Sequence, residues 1–242
     1  MVKTVWYITK YFSPKMPGSA GGRSWFLMKE LASSGYRPVV ITSDSNNLVD
    51  LPDLTKSVTV EDVDGVTLVW LKTLKYKLAK SPRRILSWLD FELKLFILNK
   101  GKLPNPDVIV VSSLSILTII NGIWLKKKYG CRLVFEIRDI WPLTIIEEGG
   151  YSHSNPLIKL LSFVERLGYK KSDLIIGTMP NLKPHIKEVS GLDKAVTCIP
   201  MGVEIGREDD VQELELEGRY ISRYLSSEKF KIVHAGTIGI TN

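Results

Sequence analysis

RLVFEIRDIWP (132–142) opens as a buried strand and closes on charge. Leu133, Val134, Phe135 and Ile137 leave few polar positions, which suits a parallel strand covered on both faces. Glu136, Arg138 and Asp139 then stand at or near its carboxyl end, followed by Trp141-Pro142. Consecutive charges at the end of a buried strand are costly unless they pair or serve a site. Two readings follow: a structural ion pair between Arg138 and Glu136, or the polar residues of a functional cleft. The stretch beyond, with Glu147, Glu148, Gly149 and Gly150, is expected to be a loop long enough to cover a cleft.

The same motif recurs outward along the chain. Short apolar runs at 5–12, 38–43, 66–72, 107–112, 173–178, 195–200 and 231–235 read as strands, and amphipathic stretches near 23–34, 82–99, 114–128, 155–171 and 180–189 as helices. Strands that each lead into a helix predict an α/β, doubly wound parallel sheet. Asp64-Gly65, between two β-rich runs, predicts a hairpin instead. Ligands of such sheets sit beyond the carboxyl ends of the strands. Residues 1–203 are expected to form one Rossmann-like domain. The polar, acidic stretch 204–229 reads as a connector, and 230–242 as the start of a further domain.

The 242 residues are 44% hydrophobic and 24% charged, an ordinary globular balance. Cys131 and Cys198 lie in apolar runs and are expected as two buried, reduced thiols, which favours a cytoplasmic setting. The start, MVKTVWYITKYFSP, reads as a strand rather than a signal peptide, and no run of ~18 apolar residues occurs. His153, His185 and His234 have no second histidine or cysteine at ligand spacing, so no metal site is expected.

The formal net charge of +7 is local. Between positions 72 and 102, Lys72, Lys75, Lys77, Lys80, Arg83, Arg84, Lys94, Lys100 and Lys102 face only Asp90 and Glu92. The segment also carries Ile85, Leu86, Trp88, Leu89, Leu93 and Phe96. A basic flank with Trp88 on an amphipathic helix reads as an interfacial segment for an anionic membrane surface rather than for nucleic acid. A core helix with solvated lysines is the alternative.

A glycine-rich loop follows the first strand: Gly18, Gly21 and Gly22 open a helix, with Arg23 beside them. Such a loop exposes backbone N–H groups and a positive dipole end to a phosphate. The spacing is neither a Walker loop nor the dinucleotide fingerprint. A plain strand-to-helix loop is the alternative.

Together, this loop, KELASSGYRPVVITS (29–43), FEIRDIWP (135–142), DLIIGTMPNLKPHI (173–186) and GLDKAVTCIPMGVE (191–204) resemble the N-terminal half of the retaining GT-B glycosyltransferases of family four. KIVHAGTIG (231–239) looks like the first strand and glycine loop of the family's C-terminal domain. The RDIWP form is similar to bacterial enzymes that extend lipid-linked sugars in O-antigen, lipopolysaccharide or capsule assembly.

The resemblance implies a metal-independent transferase without a cofactor. Its donor would be a nucleotide sugar, a UDP-linked N-acetylhexosamine from the type of pathway. Its acceptor would be a polyprenyl-diphosphate-linked saccharide at the inner face of the cell membrane. Gly21, Gly22, Arg23, Gly236 and Gly239 would face donor or acceptor phosphates, and Lys72, Lys75, Lys77, Lys80, Arg83, Arg84 and Trp88 would dock the membrane. Many relatives place a histidine where this chain has Arg138, so Asp139 is the residue implied nearest the reacting centre, with Glu136 and Arg138 orienting it. The family's donor-binding Glu-x7-Glu pair belongs to the C-terminal domain, so this chain is expected to be the acceptor-side half, inactive alone. The competing readings are a non-catalytic half of a split enzyme and another Rossmann-like nucleotide binder, for which Asp44 is the candidate ribose-binding acid.

Overall fold

The computed structural model describes residues 2–16, 19–46, 51, 53–76, 81–202, 221–222, 226 and 228–231. The chain divides into Met1–Gly202 and Val203–Asn242, and every element below belongs to the first unit. In chain order these are β1 (Thr4–Ile8), a short ribbon of β2 (Lys15–Met16) and β3 (Ser19–Ala20), α1 (Arg23–Ser33), β4 (Arg37–Ser43), β5 (Val58–Val63), β6 (Val66–Leu71) and α2 (Pro82–Ile97). There follow β7 (Val108–Ser112), α3 (Thr118–Tyr129), β8 (Arg132–Ile137), α4 (Leu143–Gly149), α5 (Pro156–Lys171), β9 (Leu174–Gly177), α6 (Leu182–Ser190) and β10 (Val196–Cys198).

Eight strands form one sheet in the order β10-β9-β8-β7-β1-β4-β6-β5. Every pairing is parallel except the β5–β6 hairpin. Asp64 (φ 50°) and Gly65 (φ 78°) make its turn, both left-handed as a tight hairpin requires. Winding reverses at β1. Right-handed crossovers therefore place α1 on one face and α2, α3, α5 and α6 on the other. The doubly wound α/β expectation is met.

Alternation along the buried strands builds both cores. Trp6, Ile8, Val39, Ile41, Val69 and Leu71 join the core beneath α2, α3 and α5. Tyr7, Val40, Leu68 and Trp70 point the other way, onto Trp25 and Met28 of α1. Gly168 of α5 lets that helix reach the sheet: a Cβ there would stand 2.7 Å from a ring carbon of Phe135.

Two expectations are corrected. The loop expected after Pro142 is largely α4, because Leu143, Glu147 and Glu148 are good helix formers, and Gly150 (φ 64°) stops it as a left-handed C-cap. Cys131 is buried as expected, but Cys198 is exposed, since it ends the edge strand β10. The apolar residues of α2 point largely outward. Phe91, Leu95 and Ser87 form its buried stripe, while Ile85, Leu86, Leu89, Leu93, Phe96 and Ile97 are each at least half exposed. At 3.6 residues per turn those six share an arc of roughly 120°. Residues 232–235 of the strand expected at 231–235, nearly all of the 204–229 connector, and Gly18, Lys77, Lys80, His234, Gly236 and Gly239 lie outside the described residues.

Candidate functional site

The carboxyl ends of β1, β4, β7 and β8 lie side by side, and the polar residues collect there. Glu136, next to last in β8, is fully buried. Tyr7 of β1 donates its hydroxyl to Glu136 Oε2 at 2.5 Å. Arg23, the first residue of α1, pairs through Nη1 with Glu136 Oε1. The same guanidinium donates to Ile199 O at 2.9 Å and to Pro200 O at 3.3 Å. Burial first, and then the Glu136 charge, push the Tyr7 phenol far above its ordinary pKa. Glu136 and Arg23 thus form an internal knot that ties the glycine loop, β8 and the chain after β10 together. Arg23 is only 8% exposed, which removes it from the phosphate-binding set, and Glu136 is likewise out of reach of a substrate.

In the glycine loop, Gly21 has φ +85°, and a Cβ on it would stand 2.7 Å from Trp25 Cδ1. Its N–H donates to Ser19 Oγ at 3.3 Å, and Gly22 N–H to Ser13 O at 2.8 Å. Gly22 caps α1 with no side-chain cap, so the dipole end of the helix is uncompensated by any acid in its first turn.

Beyond β8 the chain turns on a residue that the sequence reading missed. Ser113, just after β7, accepts from Arg138 N at 2.9 Å and Asp139 N at 3.3 Å, and donates to Asp139 O at 3.1 Å. Asp139 is an exposed residue whose carboxyl is nonetheless desolvated enough to raise its pKa, against the pull of Arg138 and Arg84. Arg84 of α2 also lies over the rings of Tyr11 (5.9 Å) and Trp88 (5.0 Å). Trp88 Nε1 donates to the Tyr11 hydroxyl at 2.7 Å, and its ring meets Trp141 edge-on at 5.5 Å. The indole N–H of Trp141 is buried, with no hydrogen-bond partner among the described residues. An unpaired buried donor calls for an explanation, and a ligand hydroxyl beside it is one. The result is a cluster of aromatic side chains, Tyr11, Trp88 and Trp141, with Asp139, Arg138 and Arg84 around it.

The expected docking set therefore divides. Arg84 and Trp88 pack on Tyr11, and Trp88 on Trp141, rather than projecting outward. Lys75 is tied to Asp44 (3.3 Å) and Asp53 (3.1 Å). Lys94 pairs with Asp90 at 2.8 Å, and buried Lys100 caps the carbonyls ending α2, including Phe96 O and Leu98 O, both at 3.2 Å. Lys72, Arg83 and Lys102 are exposed. Asp44 is 1% exposed and takes the Thr73 N–H at 2.8 Å, so it staples β4 to the end of β6 and does not await a ribose. His185 pairs with Glu165 at 2.7 Å, joining α6 to α5.

Lys10 is the other side chain that sequence reading passed over. It is fully buried after β1, donates to Ser45 O at 2.5 Å, and lies between the rings of Tyr11 and Tyr76. Burial lowers its pKa to about 7, with Asp44 opposing. An unfolded lysine stays protonated to pH ~10.5, so between pH ~7 and ~10 the unfolded chain binds the extra proton. Stability should therefore rise with pH in that window, with a slope of up to about 1.4 kcal/mol per unit. Urea unfolding across the window should show the rise in the wild type and a flatter profile in Lys10→Met. An unchanged slope would refute the assignment.

Comparison with known proteins places this arrangement. No curated protein matches the sequence significantly. Solved structures with the same fold include the trehalose-6-phosphate protein from E. coli bound with UDP-2-fluoro glucose, at 11% identity and a TM-score of 0.55 over 84% of this chain and 49% of that one. The OtsA apo structure is similar at 13% identity and a TM-score of 0.52, over 84% and 50% of the two chains. The chain thus spans about half the length of these structures, and its sheet is one Rossmann-like half of a GT-B fold. The model of Glycosyltransferase Family 4 matches residues 25–207, from the first turn of α1 past the end of β10, and the chain belongs to that family.

Proposed function

We propose that this chain is the acceptor-side half of a nucleotide-sugar-dependent transferase that extends a polyprenyl-diphosphate-linked saccharide at an anionic membrane surface, with retention of configuration. The observation that carries the proposal is the position of this cluster: Asp139, Arg138, Arg84, Trp88 and Trp141 gather beside the start of α2, whose outward arc is apolar. Aromatic side chains suit sugar rings, the unpaired Trp141 N–H suits a hydroxyl, and Arg84 and Arg138 suit a diphosphate. Asp139 would carry negative charge nearest the reacting centre. The donor would be UDP-linked, as is the ligand in the similar E. coli protein. In this reading the second half of the enzyme binds that donor, and the leaving diphosphate is held by N–H groups and basic side chains without a metal. Bacterial surface polysaccharide assembly at the inner face of the membrane is the setting that the acceptor implies.

No helix among the described residues is long and apolar enough to cross a membrane. An exposed arc of six large apolar side chains is instead suited to lie in the headgroup region, with Arg83 and Lys72 on anionic phosphates. Leu89→Glu and Leu93→Glu should each weaken flotation with phosphatidylglycerol-containing vesicles about tenfold or more, leaving the fold intact because both sites are exposed. Unchanged flotation would remove α2 as the docking element.

The direct test is a transfer screen of the full-length enzyme across nucleotide sugars, offered lipid-linked saccharides and soluble sugar phosphates. The proposal expects a lipid-linked product with the donor's anomeric configuration. Transfer to soluble sugar phosphates alone, or inversion, would refute it.

A further inference from the structure

Between the β5–β6 hairpin and the end of α2 lies a cavity of about 560 Å³, a size typical of small-molecule sites. Val58, Val60, Val69, Leu71, Ile97 and Leu98 line it. It arises because α2 ends at Ile97 and Lys100 turns the chain away, leaving the edge of the sheet without a helix above it. Val58 and Val60 are consequently 38% and 53% exposed on an edge strand. An open, apolar edge is a hazard that proteins ordinarily cover or charge. Ile97 belongs both to the cavity wall and to the exposed arc of α2, so one apolar surface runs along the helix into the cavity.

The polar rim has one sign. Lys94 and Lys102 line the cavity with the neutral Ser57 and Asn99, and no carboxylate is among the lining residues. Lys94 already pairs with Asp90 at 2.8 Å, whereas Lys102 is exposed and enters no ion pair among the described residues. An apolar pocket with a cationic lip is complementary to an apolar tail bearing an anionic head.

We propose that this cavity binds one acyl chain of an anionic phospholipid, with the phosphate at Lys102 and Lys94. The inference rests on the membrane-docking reading of α2 and sharpens it: the helix lies in the headgroup region, and the cavity holds a single lipid at the sheet edge.

The probe is dihexanoyl phosphatidylglycerol below its micelle concentration, titrated into the 242-residue chain with NMR of the valine and isoleucine methyls. Saturable shifts are expected at Val58, Val60 and Ile97. Val60→Trp, which fills the mouth from a half-exposed position, should weaken binding tenfold or more. Lys102→Glu should weaken it about tenfold, and weaken dihexanoyl phosphatidylcholine less, because the choline cation offsets part of the lost attraction. Equal binding of glycerol 3-phosphate, which has no tail, would overturn the proposal, as would unaltered affinity in Val60→Trp. The two readings fail separately. If vesicles float the protein while the short-chain lipid gives no saturable shift, the cavity proposal falls and docking stands. If the lipid saturates the cavity while vesicles do not bind, docking falls and the cavity stands.

Discussion

Arg23→Ala is expected to destabilise the first unit by about 3–5 kcal/mol, because it strands the buried Glu136 carboxylate without its charge partner. For a unit of this size, that corresponds to a fall in Tm of roughly 10 °C. The loss also frees the segment at 199–200, whose carbonyls the guanidinium holds. Two controls identify the cause. The double variant Arg23→Ala/Glu136→Gln should recover part of the loss, since it removes the stranded charge. Tyr7→Phe, which leaves the ion pair in place, should cost only about 1–2 kcal/mol. A deficit below 1 kcal/mol for Arg23→Ala, or no recovery in the double variant, would show that the knot does not hold these segments.

Asp139→Asn in the full-length enzyme is expected to lower kcat by about 10²-fold or more while leaving Tm unchanged. The substitution keeps shape and removes charge, and the carboxylate accepts no hydrogen bond among the described residues on which the fold could depend. Arg138 and Arg84, the guanidiniums proposed to meet the diphosphate, both favour its charged form. Burial raises the pKa of Asp139, so an acidic limb of the kcat profile should lie above the usual carboxylate range and vanish in the Asn variant. A kcat within about twofold of wild type would exclude Asp139 from the reacting centre.

Much of the fold was legible because its signals are local. β8 falls at 132–137, as the apolar run with a charged end predicts, and Asp64-Gly65 turns a hairpin as its two left-handed positions require. What stayed hidden depends on contacts between distant residues. Arg23 reads as a phosphate ligand in its glycine loop, and nothing local says that its partner lies 113 residues away on β8. Tyr7 and Glu136 are 129 apart. In α2, apolar residues occur nearly all round the helix, so periodicity could not tell which stripe is buried. Only the fold shows Ser87, Phe91 and Leu95 packing inward while Leu86, Leu89 and Leu93 face out. Trp88 illustrates the cost: its type suits a membrane interface, but its position on the wheel turns it to Tyr11. Ser113, Lys10 and the unpaired Trp141 N–H carry no sequence signal, because small hydroxyls, lone lysines and tryptophans are common and only burial singles these out.

The central claim is that this half holds the acceptor. It is tested most directly by titrating the 242-residue chain with a polyprenyl-diphosphate-linked saccharide in phosphatidylglycerol-containing vesicles, followed by tryptophan fluorescence. The account predicts saturable binding above that of the vesicles alone, weakened about tenfold in Arg84→Ala. Binding no stronger than to saccharide-free vesicles, or equal binding by Arg84→Ala, would contradict it.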